Sequence, residues 1–340
     1  MKDKKFKLSA NLINEYRSFI FLALILIIGL FVERFYSAYN ISAATGNGTL
    51  VIWLGLGFTV CMIAGHMDLT IMYMSTLGAL LTLGLHAQQG LPWGVAILIA
   101  TLVGVLVGLI NGLLVTQLKL PAFIATLGMQ FVLKGTMYIY TGGEELSIGR
   151  DYDFSDFLNS NPIPFIPFSA YFLIATVAII IVMIIFNYTR FGRNIYMIGG
   201  NLETAWLAGI KSNFVTVMAF VISAASCALG GALNGIYSGT AGITMGEKGI
   251  SPLMIAFTAT IIGGTATTGG KGSVVYTWVS LIAIALLKSI FKKTEMQVLV
   301  IAAILIICIV YETLAMYNRN KTVGTRPNLH NEYLKEHGKN

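Results

Sequence analysis

Residues Arg190–Lys211 read RFGRNIYMIGGNLETAWLAGIK and form a polar island between two long apolar segments. Within the island, Asn201 is a residue type favoured at a helix N-cap. Glu203 follows in the first turn, where the helix dipole favours an anion, and Gly209 suits the position after the last turn. These signals predict a short capped helix inside the island.

The predicted helix has one apolar face, because Leu202, Ala205 and Trp206 recur at helical spacing. A short amphipathic helix between membrane segments has no lipid to cross. Two interpretations remain open from these residues alone. The island is either a docking element for a soluble partner or a solvated loop that is well capped.

The composition of the whole chain indicates a membrane protein. Of its 340 residues, 56% are hydrophobic and only 11% are charged, whereas soluble domains carry roughly 25% charged residues. The net charge of +7 comes from Lys and Arg residues grouped at the termini and in the central island, with no basic stripe interleaved with aromatics. This pattern is typical of membrane topology and argues against a nucleic-acid partner.

The cysteines predict neither disulfides nor a metal site. Cys61, Cys227 and Cys308 all fall inside apolar stretches and lack CxxC spacing, so we expect small core residues. The basic N-terminus leads into an apolar run without a small-residue cleavage site. We therefore expect a retained first span and not a signal peptide.

A membrane-spanning helix needs about 20 predominantly apolar residues, and the sequence contains about ten such stretches. They lie at about 18–36, 46–64, 69–87, 92–117, 121–141, 166–187, 213–237, 251–264, 272–291 and 296–317. The eighth is short for a full span and is a candidate for a tilted or re-entrant segment. We predict an all-α polytopic membrane protein with about ten transmembrane helices.

The charges of the loops predict the orientation. With the N-terminus inside, Lys119, the island and the basic tail from Arg319 onward fall on the cytoplasmic side, and the acidic loop 142–165 falls outside. This agrees with the positive-inside rule; Lys292 and Lys293, which fall outside, are the exception. Both termini are expected in the cytoplasm.

The predicted organisation is one transmembrane domain with short cytoplasmic ends. Its parts are a basic N-terminus at 1–17, a transmembrane domain at 18–317 with halves at about 18–141 and 166–317, a cytoplasmic loop at 188–212, and a tail at 318–340.

A weak internal repeat connects the two halves. Glycines recur every four residues in the fourth and the seventh span, and each row contains an Asn-Gly pair. With five spans per half, the two copies must have opposite orientations, as in inverted-repeat transporters. Close helix packing through glycine is the simpler explanation. The glycines are Gly104, Gly108 and Gly112, and Gly231, Gly235 and Gly239; the asparagines are Asn111 and Asn234.

Polar residues at membrane depth are costly and need a reason. Asp68 lies where the second span breaks, so it either caps the third helix or lines a polar gate. Lys134 lies mid-segment and is expected to face the bundle or a water-filled cavity. We take Asp68, Asn111, Lys134 and Asn234 as the candidates for a translocation pathway or gate.

The segment Ile261–Ser273, IIGGTATTGGKGS, fails the test for a phosphate-binding loop. The pattern G-x-x-x-x-G-K-[ST] requires glycine where Thr265 stands and Ser or Thr where Gly272 follows Lys271. The sequence also shows no HExxH, GxSxG or Cys/His cluster. We therefore expect a transporter subunit that is not an enzyme and binds no cofactor or metal.

Several segments resemble the permeases of ribose-type ATP-binding-cassette sugar importers, within the wider branched-chain-type permease group. The segments are AGHMDLT (Ala64–Thr70), NGLLVTQLKLPAFIATLG (Asn111–Gly128), LKGTMYIYTGG (Leu133–Gly143), FGRNIYMIGGNLETAWLAGI (Phe191–Ile210) and IIGGTATTGGKGSV (Ile261–Val274). They occur in order over most of the chain. His66 and Met67 depart from the Ile that the family usually has before the aspartate.

The resemblance implies a type II importer fold in the bacterial cytoplasmic membrane. The expected partners are a second permease subunit, a cytoplasmic ATPase that hydrolyses ATP, and an extracytoplasmic solute-binding protein. The island then corresponds to the segment that docks on the ATPase, with Asn201, Leu202, Glu203, Ala205, Trp206 and Gly209 as its residues. Alternatives are a permease for nucleosides or branched-chain amino acids, or a self-contained ion-coupled transporter.

Overall fold

The computed structural model describes residues 2–148, 152–243, 251–291 and 293–324, and these are mostly helical. The helices of the first half are α1 (Lys2–Gly29), α2 (Ala38–Ile63), α3 (Ile71–Ala87), α4 (Trp93–Thr116) and α5 (Ala122–Thr141). They are followed by α6 (Asp153–Asn159), α7 (Ala170–Tyr188), α8 (Arg190–Gly200), α9 (Leu202–Leu207), α10 (Ser212–Ser238), α11 (Pro252–Ile262), α12 (Val274–Ile290) and α13 (Thr294–Gly324). Two short strands, β1 (Leu146–Ser147) and β2 (Thr240–Ala241), pair antiparallel.

Serine caps begin three of the apolar helices. The hydroxyl oxygens of Ser37, Ser169 and Ser273 accept hydrogen bonds from backbone N–H groups in the first turns of α2, α7 and α12. Such caps satisfy N–H groups that have no partner inside the helix. These three apolar helices therefore start where the sequence supplies a hydroxyl.

The structure supports a polytopic membrane protein. Among the residues that the structure describes, six helices are long and apolar enough to cross a membrane, by length and composition, and four apolar helices are shorter. Each of the predicted apolar segments overlaps one of these helices, and the second was predicted too short, because α2 already begins at Ala38. The first segment was predicted too long, because α1 ends at Gly29 and turns fill the chain before α2. The count of ten crossings stays a prediction.

Helices α2 and α10 form the centre of the bundle. Helix α10 packs on α2, α3 and α4, while α2 packs on α10, α11 and α12. Of the most apolar window of α2, 83% is buried, against 6% for α13. The apolar surface of α13 is thus left for lipid or for another chain.

The glycines of α4 pack against the backbone of α10. A Cβ on Gly108 would lie 2.7 Å from Val221 Cα, and one on Gly112 would lie 2.7 Å from Val217 Cα. Gly104 faces Ala228, so the pairing runs in opposite chain directions and the two helices are antiparallel. Small residues permit this close approach.

The glycine row of α10 faces α3 and includes one misassigned residue. Gly231 and Gly235 pack against Ser75 and Ala79. Gly239 was predicted to pack between helices, and this was wrong. It ends α10 in the left-handed region, with φ of 74°, and a Cβ there would meet its nearest atom at 3.8 Å. Glycine suits this position because it has no Cβ to clash.

Loop 142–165 has more structure than the sequence predicted, because it contains β1 and α6. It lies beside the C-terminal end of α10, where Asn159 Nδ2 donates to the Tyr237 carbonyl at 3.0 Å. Helices α8 and α9 precede the N-terminus of α10 and lie at the opposite end of the bundle. Arg150, Asp151, Lys292 and the tail from 325 onward, all used for the predicted orientation, lie outside the described residues.

Candidate functional site

The predicted capped helix in the island is confirmed as α9. The Asn201 Oδ1 atom accepts from the Thr204 backbone N–H at 2.9 Å, and Gly209 follows the helix with φ of 77°. Helix α8, which precedes α9, was not predicted; it begins with a cap of its own, in which Thr189 Oγ1 accepts from the Gly192 N–H. The island is therefore two helices joined at Asn201.

Helix α8 buries one face against the ends of α2, α7 and α10. Its residues Gly192, Ile195 and Ile198 are buried, at a spacing of three residues. Ile195 and Ile198 belong to an apolar cluster with Val60 of α2 and Phe220 of α10. The signal for this face was available in the sequence, because apolar residues recur at helical spacing.

Of the residues on the predicted apolar face of α9, one is buried against the protein and two are exposed. Ala205 is fully buried in the same apolar cluster as α8, so it anchors α9 and does not belong to the exposed surface expected for it. Leu202 and Trp206 are 60% and 69% exposed. Leu207, which the sequence analysis did not select, is 72% exposed. Exposed large apolar side chains on one short helix are typical of a binding surface.

The exposed surface of α9 continues into a shallow groove beside Trp206. Gly209, Lys211 and Asn213 line it together with Trp206. Glu203 is also exposed. The structure thus places an aromatic side chain, an acid and a base on one surface at this end of the bundle.

The end of α8 touches two loops through backbone atoms alone. The Gly270 N–H, in the loop between α11 and α12, donates to the Ile63 carbonyl at the end of α2, at 2.9 Å. A Cβ on Gly199 would overlap the Ile63 carbonyl oxygen and lie 2.6 Å from Gly270 N. A Cβ on Gly269 would lie 2.6 Å from Gly65 Cα. We name the contact of Gly65, Gly199, Gly269 and Gly270 the glycine junction.

A tyrosine reinforces the glycine junction. The Tyr196 hydroxyl donates to the Gly272 carbonyl at 2.9 Å. Burial raises the pKa of the Tyr196 phenol, so the hydroxyl keeps its proton and remains a donor. Helix α8 is thereby held to the α11–α12 loop by a side chain as well as by backbone contact.

Asp68, in the loop between α2 and α3, is fully buried and accepts three hydrogen bonds. The Thr70 N–H donates to Oδ1 at 3.0 Å, the Thr70 hydroxyl donates to the same oxygen, and the Ser223 hydroxyl of α10 donates to Oδ2 at 2.8 Å. Asn111 of α4 donates to the Thr70 hydroxyl at 3.4 Å. Asp68 therefore does not occupy the cap position of α3, which is Thr70, but bonds to that residue and connects the start of α3 with α10. Its role in a gate stays a prediction.

The other two pathway candidates lie apart from Asp68. Lys134 of α5 is partly buried, and its Nζ lies 5.7 Å from the centre of the Tyr73 ring on α3, which is cation–π distance. Asn234 of α10 is partly buried and lines a narrow cleft with Ser75 and Thr76 of α3. The candidates thus meet different parts of α3.

Sequence reasoning missed the hydroxyl groups that connect the central helices. Thr59 of α2 donates to Thr277 of α12 at 3.0 Å and lies 3.2 Å from the Thr260 hydroxyl of α11. Ser223, the partner of Asp68, was missed for the same reason. These residues stand alone in apolar stretches, and only the fold brings them together. Hydroxyl pairs of this kind connect helices in membranes.

Comparisons with known proteins agree with this architecture. A sequence profile of the family described as branched-chain amino acid transport system permease component matches residues 40–309. The ribose import permease protein RbsC of Bacillus subtilis is 31% identical over 271 residues, which cover 78% of this chain and 81% of the relative. No solved structure matches the chain.

Two further relatives are autoinducer 2 import system permease proteins, both named LsrC. The protein of Yersinia enterocolitica is 28% identical over 254 residues, covering 75% of this chain and 68% of the relative. The protein of Salmonella paratyphi B is 29% identical over 259 residues, covering 74% and 72%. The chain belongs to the family of branched-chain amino acid transport system permease components and is a polytopic membrane permease.

Proposed function

We propose that the chain is the transmembrane subunit of an ATP-binding-cassette importer for a small sugar or a related polar solute. The observation that carries the proposal is the likeness to a ribose import permease over 271 residues. The exposed surface of α9 supports it, because an apolar surface outside the bundle provides a place for a partner.

In this proposal, α9 docks on a cytoplasmic ATPase subunit, and ATP is hydrolysed there and not by this chain. Leu202, Trp206 and Leu207 supply apolar contacts, and Glu203 supplies a charge. Aromatic anchors of this kind contribute a large share of binding energy at protein interfaces. The buried Ala205 and the Asn201 cap hold the helix in place.

The proposed orientation puts α8, α9 and both termini in the bacterial cytoplasm, with loop 142–165 outside. The contacts of the central helices support two inverted halves. Helices α3 and α4 pack on α10 as α11 and α12 pack on α2. In this arrangement α4 corresponds to α12, and α2 corresponds to α10. The glycine rows of α4 and α10, which were matched as copies of a repeat from the sequence, would then not be equivalent positions in the two halves.

Movement of the ATPase would reach the bundle through the glycine junction. Gly199 lies in the last turn of α8, Gly65 lies in the loop that carries Asp68, and Gly270 lies in the loop before α12. Backbone contact without side chains transmits a displacement because no flexible side chain absorbs it. Substrate would pass between this chain and a second permease subunit, after delivery by a solute-binding protein.

Reconstitution tests the proposal. Membrane vesicles containing this chain, its ATPase and its solute-binding protein should take up ribose only when ATP is present on the ATPase side. Uptake driven by an ion gradient in vesicles that contain this chain alone would contradict the proposal.

The family description names branched-chain amino acids, and this favours a second candidate substrate class. Calorimetric titration of the solute-binding protein with ribose, a nucleoside and leucine separates the classes. We expect the sugar to bind, because a neutral solute needs only hydrogen-bonding and stacking groups.

A further inference from the structure

Lys288, near the C-terminal end of α12, contrasts with Asp68. Asp68 is buried and accepts three hydrogen bonds, whereas the Lys288 ammonium is partly buried and has no hydrogen bond or ion pair with any described residue. A charge withdrawn from water without a partner is costly. Ionisable residues in membrane segments commonly mark a functional site, so the surroundings of Lys288 are informative.

Lys288 lines a cavity between α2, α12 and α13, at the opposite end of α2 from the glycine junction. The cavity is open on one side and has a volume of about 300 Å³, which is near the lower limit for small-molecule sites. Its polar lining comes from Asn40, Asn47, Lys288, Ser289 and Gln297, and small residues of α2 and α12 complete the wall.

The amides of the cavity are oriented by hydrogen bonds. Asn40 Nδ2 donates to the Phe35 carbonyl at 2.9 Å and to the Ser289 hydroxyl at 3.3 Å. Gln297 Nε2 donates to the Lys288 and Phe291 carbonyls at 3.1 and 2.7 Å. These bonds occupy the amide nitrogens, so the amide oxygens of the two side chains remain as acceptors.

We infer that this cavity binds a small anionic group that carries hydroxyls, such as a glycerophosphate. The Lys288 ammonium pairs with the anion, and the amide oxygens of Asn40 and Gln297 accept from the hydroxyls. A neutral ligand would leave the ammonium without a counter-charge. The inference does not rest on the proposed function, because the site lies away from α8 and α9.

Two kinds of molecule carry a glycerophosphate group: phospholipids, in their headgroups, and soluble glycerol phosphates. The cavity is bounded on one side by α13, of whose apolar window only 6% is buried, so this side is open to lipid or to another chain. The two sources are separated by testing each one alone.

The experiment uses the full-length chain in phosphatidylcholine nanodiscs. One arm adds phosphatidylglycerol to the nanodiscs, and the other adds soluble glycerol 3-phosphate. The readouts are the thermal unfolding midpoint and the ligand retained in native mass spectrometry. Three variants are compared: Lys288→Gln, Lys288→Arg and Lys293→Gln. Lys293 is exposed in the turn after α12 and is the matched control for a loss of charge.

We expect at least one probe to raise the unfolding midpoint of the natural chain. Lys288→Gln should bind that probe about tenfold more weakly, because a charge-assisted hydrogen bond is lost, while Lys288→Arg and Lys293→Gln should bind as before. Response to phosphatidylglycerol alone assigns the site to a lipid headgroup, and response to both probes assigns it to the anionic group itself.

Three results would overturn the inference: no response of the natural chain to either probe, unchanged binding in Lys288→Gln, or an equal loss in Lys293→Gln. If Lys288→Gln does not fold, Asn47→Ala replaces it. Asn47 is exposed and lines the same cavity. Its substitution should weaken binding, and unchanged binding would count against the site.

Discussion

Helices α8 and α9 are joined at Asn201 and lie in one connection between α7 and α10, yet they present different surfaces. Helix α8 buries Ile195 and Ile198 and touches two loops through Gly199. Helix α9 buries only Ala205 and exposes the large apolar side chains around it. The difference indicates that the two helices have different roles: α8 attaches this segment to the bundle, and α9 leaves its apolar side chains available to a partner.

The largest effect is expected from Gly199→Ala, which tests the packing of α8, with Gly200→Ala as its control. The new Cβ at 199 would overlap backbone atoms of Ile63 and Gly270, which cannot move aside as a side chain can. We expect the unfolding free energy to fall by about 3 kcal/mol, as for an overpacked core, and transport to be lost.

The neighbouring Gly200 provides the control because a Cβ there would meet its nearest atom, Gly270 Cα, at 3.9 Å, an ordinary contact. Gly200→Ala should be neutral or stabilising by up to about 1 kcal/mol, since alanine favours the helix. Thermal unfolding of the two variants in detergent measures the difference. Equal midpoints for both variants would show that Gly199 does not contact the backbone of Ile63 and Gly270 as closely as the structure indicates.

An intermediate effect, on coupled uptake, is expected from Glu203→Arg in the exposed helix α9. The side chain is exposed, so folding should change little, although the first turn of α9 loses a favourable interaction with the helix dipole. Reversing the charge should lower coupled uptake about tenfold by disturbing the approach of the ATPase. Transport assays with the reconstituted importer measure this, and normal uptake would remove Glu203 from the docking surface.

The smallest effect is expected at the boundary between the two helices. Asn201→Ala removes the hydrogen bond to the Thr204 N–H and should destabilise α9 by about 1 kcal/mol. Hydrogen exchange of the amides in α9 should then speed up about fivefold, while exchange in α8 stays unchanged. Faster exchange in both helices would mean that they form one cooperative unit.

The sequence predicted those parts of the site that depend on local chemistry. The Asn201 cap and the glycine after α9 follow from the needs of helix ends, and the apolar segments follow from composition. It could not predict which side of α9 faces inward. Ala205 and Trp206 both fit the helical pattern, and only packing against α2 and α10 buries one of them.

The contacts that connect distant segments were also beyond sequence reasoning. The glycine junction joins glycines from three separate segments, at residues 65, 199, 269 and 270, and nothing local to one segment indicates the other two. Lys288 escaped notice because it lies in an apolar segment near other lysines. That none of the described residues pairs with its ammonium becomes visible only when the surroundings of α12 are known.

The most direct test of the account is the affinity of the ATPase subunit for this chain carrying Trp206→Asp, compared with Thr204→Asp. Both side chains are exposed on α9, and both variants add one negative charge. We expect Trp206→Asp to weaken ATPase binding about thirtyfold and to abolish ATP-driven uptake. Thr204→Asp should have a much smaller effect on both. The unfolding midpoints of both variants should equal that of the natural chain. Unchanged binding and uptake in Trp206→Asp would contradict the account.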